Sequence, residues 1–376
     1  MKKKIILILT AVLLLSSLSV FADEYYYSDT YYMWSEEQGE IVGTYDNMFE
    51  NELYDVITEF EITEPGWEEV TEFKNVRRLV DSKQDENGEY HYYSKVEKLM
   101  LNYDGTYEHE VLCEETEDHD AAEAVMTEAW KAIGREYTFM NSDEQIFNDG
   151  LLHVYRDNDT NVLVDINGAE KFVHDNESWN YSPHTYEYNL GMLYECSAPS
   201  GFGMFSSDPR CHVTFKNLMT DGKEYNFNTY ITNFNDDGYA IMYVMKEDKL
   251  HTYIVKLKKG IIPTVSYNGE KIKFDQIPVI ENGRTLVPLR AIFEKIGATV
   301  GWDEATSTVT AEKDGVKVEL VIDDVNAKKN DEAITLDVPA KLINGRTMVP
   351  VRFVSDCFGV NVEWDDAMQR VVLTSK

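Results

Sequence analysis

The sequence predicts a mostly β protein with an α+β part: a β-rich N-terminal and middle region of hairpin repeats, propeller-like in spacing and carrying one amphipathic helix, followed by a duplicated α+β module. Three observations carry this. Short alternating runs closed by Gly, Asn and Asp recur through residues 145–260. Apolar residues fall at helical spacing in one segment, Ala121 to Ile133. A strand–turn–strand–helix pattern in the last third occurs twice.

The first element is an export signal. Lys2, Lys3 and Lys4 precede an apolar-rich run from Ile5 to Val20, and Val20-Phe21-Ala22 offers small residues where a signal peptidase reads them. An uncleaved anchor is the competing reading, but sixteen apolar-rich residues are short for a bilayer span. Cleavage after Ala22 is expected, giving a secreted or extracellular protein, associated with the cell envelope, with no membrane span in the mature chain. The expected division is 1–22 signal peptide, 23–140 acidic Tyr-rich α+β region, 141–260 β-hairpin repeats and 261–376 C-terminal module.

Charge narrows the partners. With 68 Asp and Glu against 35 Lys and Arg, the formal charge is −33, and the signal removes three more lysines. Such a field repels nucleic acid and keeps the chain solvated. The 24 tyrosines argue against a disordered acidic tail. Tyr25, Tyr26, Tyr27, Tyr31, Tyr32 and Tyr45 crowd the start of the mature chain; cross-strand packing or a disordered terminus explains them more simply than sugar stacking.

Asp120 caps the expected helix, and Ala121, Ala122, Val125, Met126, Ala129, Trp130 and Ile133 form its apolar face up to Gly134. The hairpins that follow align on Gly150, Gly191 and Gly238, about 40 residues apart, which suits either propeller blades or ordinary antiparallel hairpins. Asp157-Asn-Asp159-Thr-Asn161 spaces oxygens like a calcium loop, but Val162 stands where Gly is needed and Gly168 where the closing Glu belongs. It reads as a solvated turn.

The duplication is the clearest signal. Asn282-Gly283-Arg284-Thr-Leu-Val-Pro288-Leu-Arg290 returns as Asn344-Gly345-Arg346-Thr-Met-Val-Pro350-Val-Arg352, 62 residues on. Gly297 and Gly359, Trp302 and Trp364, Asp303 and Asp365 keep the offset, as do Phe274-Asp275 and Leu336-Asp337 upstream. Each Asn-Gly is a tight turn, each Pro starts a helix, and each later Gly stops it. Leu289, Ile292, Phe293 and Ile296 form one buried helix face; Phe353, Val354 and Phe358 form the other. Strands are expected at Thr299 to Trp302, Ser307 to Ala311 and Val316 to Val321. Neither copy, about 264–321 and 326–374, is long enough to bury its sheet alone, so the two should pack as one domain. The four arginines are expected to bond carbonyls or Asp303 and Asp365.

These residues resemble the copper amine oxidase N-terminal domain, whose pattern is NGRT-hydrophobic-VP-hydrophobic-R followed by G-x-x-V-x-W-D. The resemblance implies a stalk-like module remote from copper and quinone, hence scaffolding or attachment. A weaker resemblance links residues 145–260 to WG-type β repeats, although no Trp-Gly pair is present. Oxidase chemistry itself is not expected. Asn102-Tyr103-Asp104 imitates the quinone motif, but Leu99 replaces its Thr, and the eight histidines include no His-x-His pair.

No catalytic, cofactor-binding or metal-ligating residues are assigned, and no cofactor is expected. Of the four cysteines, Cys196 and Cys211 bracket an insertion between two hairpin strands and are expected to form a disulfide; Cys113 and Cys357 are expected to be unpaired and largely buried. The expected function is non-catalytic binding or scaffolding at the cell envelope, with cell-wall glycan or another surface protein as partner. The alternative is a secreted glycan-active hydrolase with its site in residues 23–260, because acid pairs alone cannot exclude one.

Overall fold

A computed structural model describes residues 32–35, 40–44, 46–64, 67, 70, 72–133, 147–155, 160–175, 184–197, 211–227, 229–246 and 249–376. The expected signal peptide, the tyrosines before Tyr32, Tyr45, Asp157 to Asp159 and the insertion at 198–210 lie outside the described residues. No helix among the described residues is long and apolar enough to cross a membrane.

The chain is β-rich, as its alternation predicts. A short ribbon pairs β1 (Tyr32–Ser35) with β2 (Glu40–Thr44), and a single turn of helix, α1 (Asp46–Phe49), leads to β3 (Tyr54–Phe60). Three long strands, β4 (Lys74–Gln84), β5 (Tyr90–Leu101) and β6 (Tyr107–Thr116), form an antiparallel meander. Helix α2 (His119–Ala132) packs on all three of its strands. Ala122 and Met126 meet Val76 and Val96, and the Trp130 indole donates to the Val76 carbonyl at 2.9 Å. Its cap is Asp118, whose carboxylate accepts from the Ala121 amide at 2.9 Å, not Asp120, which lies in the first turn. Thr116 orients Asp118 from the strand, which fixes the helix start two residues earlier than periodicity suggests.

Two four-stranded meanders follow. The first runs through β7 (Phe147–Asn148), β8 (Leu151–Tyr155), β9 (Thr160–Asp165) and β10 (Glu170–Asp175). The second runs through β11 (His184–Asn189), β12 (Met192–Ser197), β13 (His212–Asn217) and β14 (Glu224–Phe227). A third hairpin, β15 (Tyr239–Lys246) and β16 (Lys249–Leu257), is completed by β3 from the start of the chain. That ladder crosses the division expected near residue 140. One apolar cluster, with Phe215, Phe234, Met242 and Val255, joins the last two sheets.

The C-terminal module begins with β17 (Thr264–Tyr267), β18 (Glu270–Lys271), β19 (Val279–Glu281), β20 (Arg284–Pro288) and α3 (Leu289–Lys295). Then come β21 (Thr299–Asp303), β22 (Thr308–Lys313) and β23 (Val316–Val321), at the expected places. The second copy supplies β24 (Asn326–Lys329), β25 (Glu332–Thr335), β26 (Lys341–Ile343), β27 (Arg346–Pro350), α4 (Val351–Phe358), β28 (Asn361–Asp365) and β29 (Arg370–Thr374). Asn282, Gly283, Asn344 and Gly345 all take positive φ, closing their hairpins with the two-residue turns the Asn-Gly pairs dictate.

The copies exchange elements. β20 pairs antiparallel with β27, Val287 opposite its own equivalent Val349, so a pseudo-two-fold axis passes between them. Hairpin β17–β18 of the first copy joins β28–β29 of the second, and hairpin β24–β25 of the second joins β21–β22 of the first through β23. One core takes Phe293, Ile292 and Leu289 from α3 and Phe353 and Val354 from α4. The two halves therefore share a single hydrophobic interior, which neither could close alone.

The module is also tied to the hairpins before it. The turns at Gly150, Gly191 and Gly238 all face it: Ile277 lies beside the first, Ile262 over the second and Met368 over the third. The Gly150 amide donates to the Phe274 carbonyl at 2.9 Å. At the entry, Gly260 donates to Ala367 at 2.8 Å, and a Cβ there would overlap the Met368 carbonyl, so only glycine fits.

Candidate functional site

Elements from both copies and from the linker before the module enclose a cleft of about 780 Å3. Strand β28 brings Trp364 and Glu363, β19 brings Ile280, and the start of α4 brings Arg352. Arg284 follows the Asn282-Gly283 turn, and Lys258 and Lys259 of the linker also line the cleft, the Lys258 ammonium bonded to the Asn51 carbonyl. Trp364 leaves 42% of its surface exposed and Ile280 48%, large values for apolar side chains in a folded domain. The indole of Trp364 donates to Asp366 at 3.2 Å, which holds the ring in one orientation.

Ion pairs join the two copies around the cleft. Arg284 Nε donates to Asp337 at 2.6 Å, and Arg352 reaches the same carboxylate at 3.2 Å. Arg346 makes the reciprocal contact to Asp275 at 2.7 Å through Nε. Each of Arg284 and Arg346 also reaches the carbonyl of the glycine before it. Lys341 of the second copy bonds Glu281 of the first. The expectation of carbonyl partners therefore holds for two arginines, whereas Asp303 and Asp365 are not the acidic partners. Those aspartates accept backbone amides of their own turns, from Ala305 at 2.9 Å and Met368 at 3.1 Å. The offset of 62 marked Asp275 and Asp337 as equivalents, but no local pattern says that each serves the other copy's arginine. Arg290 is exposed; the ion pairs run through the other three arginines.

Of the motif residues, the cleft gathers Gly283, Arg284, Pro350, Arg352 and Trp364. Asn282, Asn344 and Gly345 are turn residues, and Pro288 and Pro350 sit at the N-caps of α3 and α4. Trp302, the first-copy equivalent of Trp364, is exposed to the same 42% but lines no part of this cleft. Leu342 repeats the exposure of Ile280 at 50%.

A second polar centre was invisible in the sequence. Lys271 is 7% exposed, and its ammonium bonds Asp149 at 2.7 Å, Asn189 at 2.7 Å and Asp236 at 3.3 Å. Those acceptors come one from each of the three glycine turns. The lysine's three donors are thereby matched to three repeats. Nearby, Arg370 bonds Asp237, which also accepts from Tyr103 at 2.8 Å. Burial pushes the Asp237 carboxyl up, but the bonds from Arg370 and Tyr103 outweigh it and hold it below its ordinary value. Tyr103 stacks on Tyr239 with centroids 3.9 Å apart, and burial, then its bond to Asp237, raises its phenol. The residue that imitates a quinone precursor is thus a packing tyrosine.

A cluster of ionisable groups outside the module lies on the β4–β6 sheet. Glu97, 4% exposed, accepts from Arg77 at 2.9 Å and Lys95 at 2.6 Å, with His109 between it and Glu64. Burial raises the Glu97 carboxyl, and the two cations more than reverse this, keeping it ionised. Such a carboxylate is a poor proton donor. Asp85, Glu89 and His91 approach within 4.8 Å at the β4–β5 turn. Asp85 there already accepts the Asn87 and Glu89 amides at 2.8 Å each.

None of the four cysteines is disulfide-bonded in the structure. Cys196 and Cys211 are both buried in one apolar cluster, and a hydrogen bond with Cys211 holds the Cys196 thiol below its ordinary range. Cys357 is buried, which pushes its thiol up to about 12, whereas Cys113 is only half-buried. The expectation that Cys113 is largely buried is corrected: its strand lies at the edge of its sheet.

Comparison of the chain with curated proteins gives no match. A family model matches its last third: residues 266–373, the two exchanged copies, are similar to the copper amine oxidase N-terminal domain.

Proposed function

We propose that this protein is a non-catalytic, exported scaffold of the cell envelope that attaches through its C-terminal module. One observation carries the reading: the matched domain is a non-catalytic module, and it is joined to the hairpin sheets by a buried ionic node, so it acts as part of the scaffold. The lysine-led N-terminus supports export. The cleft supports binding without turnover, because Asp337 is engaged by two guanidinium groups and Asp366 by an indole. Residues 261–376 form the attachment unit in this reading, and the sheets before them present it.

Purified full-length protein should co-sediment saturably with isolated envelopes of the producing cells and release no reducing sugar or peptide. Release of product would make it a hydrolase. Failure to co-sediment would remove the attachment role.

A further inference from the structure

We propose, resting on that binding role, that the Trp364 cleft seats a short neutral glycan, with a sugar ring stacked on the indole and hydroxyls bonded along both walls. Four observations converge on this ligand class. The first is the indole, 42% exposed inside a concavity and held by Asp366 at 3.2 Å, a fixed platform for the apolar face of a sugar. Exposed Ile280 extends that apolar floor.

The second is the mixture of polar groups. Arg284, Arg352, Lys258 and Lys259 can only donate, and Glu363 and Asp366 as carboxylates can only accept. A sugar hydroxyl does both, so it can bridge from one wall to the other. The third is the charge balance. Arg284, Arg352 and Lys259 stand against Asp337, Glu363 and Asp366, while the Lys258 ammonium is held by the Asn51 carbonyl and Asp55, so the cleft holds little net charge, and the chain around it, at −33, repels a polyanion. The fourth is size: about 780 Å3 lies within the range of about 300–1,000 Å3 that small-ligand clefts occupy.

Duplication supplies an internal control. Trp302 has the same repeat position and the same exposure as Trp364 but no share of the cleft. If exposed tryptophan alone made the site, both would bind.

The test titrates full-length protein with a soluble tetramer of N-acetylglucosamine, followed by tryptophan fluorescence and calorimetry. Saturable binding is expected, weakened about tenfold or more by Trp364→Ala and unchanged by Trp302→Ala. Trp364→Phe, which keeps a ring, should fall between them and guards against a folding defect, checked by melting. Equal loss in both alanine variants, or no binding at millimolar tetramer, overturns the proposal. So does preference for an acidic oligogalacturonate with steep salt dependence, which would assign the cleft to anions. If the tetramer fails while the protein still co-sediments with envelopes, the ligand class is wrong and the scaffold role stands; if co-sedimentation fails too, both fall.

Discussion

At the scale of single residues, Lys271 is the most consequential side chain. Its ammonium and the Asp149 carboxylate, 7% and 4% exposed, are out of water and answer each other. Replacing a buried pair by apolar groups can be neutral, but removing one partner strands the other charge, at a cost of about 3–5 kcal/mol. Lys271→Met should therefore destabilise the chain by that order in denaturant melts, whereas a loss under about 1 kcal/mol would mean the node is hydrated. Cys196 and Cys211 make the second residue-scale case. Cys196 stands opposite Val213, two residues from Cys211 and on the same side of the strand pair, and the thiols are in contact. Given a small-molecule disulfide as oxidant, the two thiols would lose two protons and two electrons to it and form one bond. Closure of that loop should add about 3 kcal/mol. Peptide mapping of exported protein without reductant should find the pair linked; Cys196 linked to Cys113 or Cys357 would refute the pairing.

At the scale of elements, the caps and turns were the most legible parts. Both Asn-Gly turns, both proline-led helices and the left-handed cap at Gly359 follow from local backbone preferences. The cap of α2 did not: periodicity points to Asp120, and the strand end at Thr116, bonded to the Asp118 amide, places the cap at Asp118 instead. Asp118→Ala should cost about 1 kcal/mol and Asp120→Ala less, measured by chemical denaturation; the reverse order would return the cap to Asp120. The hairpins aligned on Gly150, Gly191 and Gly238 were legible as hairpins. That all three turns converge on Lys271 was not, because the lysine lies on an unremarkable polar strand more than 30 residues beyond the last of them.

At the scale of the molecule, the seam between hairpins and module governs how the chain unfolds. Residues 261–376 enclose their own core and should melt cooperatively alone. They should melt below the full chain, because Lys271, Ile262 and Met368 then lose their cover. Equal melting temperatures would show that the seam contributes nothing. Acid probes the same seam. The Asp237 carboxyl sits below its ordinary 3.8 in the folded state, so its stabilisation is present above that value and is lost as pH falls through the depressed one. With 68 acids in the chain, the difference between wild type and Asp237→Asn is the useful quantity. The variant should lose less stability than wild type on acidification below about pH 4.

The sequence by itself determined what depends on near neighbours: the duplication, the turn and cap positions, the helix faces, the acidic field and the β-rich class. Those follow from backbone sterics and periodicity within a few residues. Tertiary structure alone decided which copy each arginine serves, which strand closes the last hairpin sheet, and that Trp364 rather than its equivalent Trp302 lines the cleft between the copies. The physical reason is separation along the chain. Arg284 meets Asp337 across 53 residues and Lys271 meets Asp149 across 122, and nothing in either neighbourhood encodes a partner that only the exchange of hairpins and the docking of turns bring near.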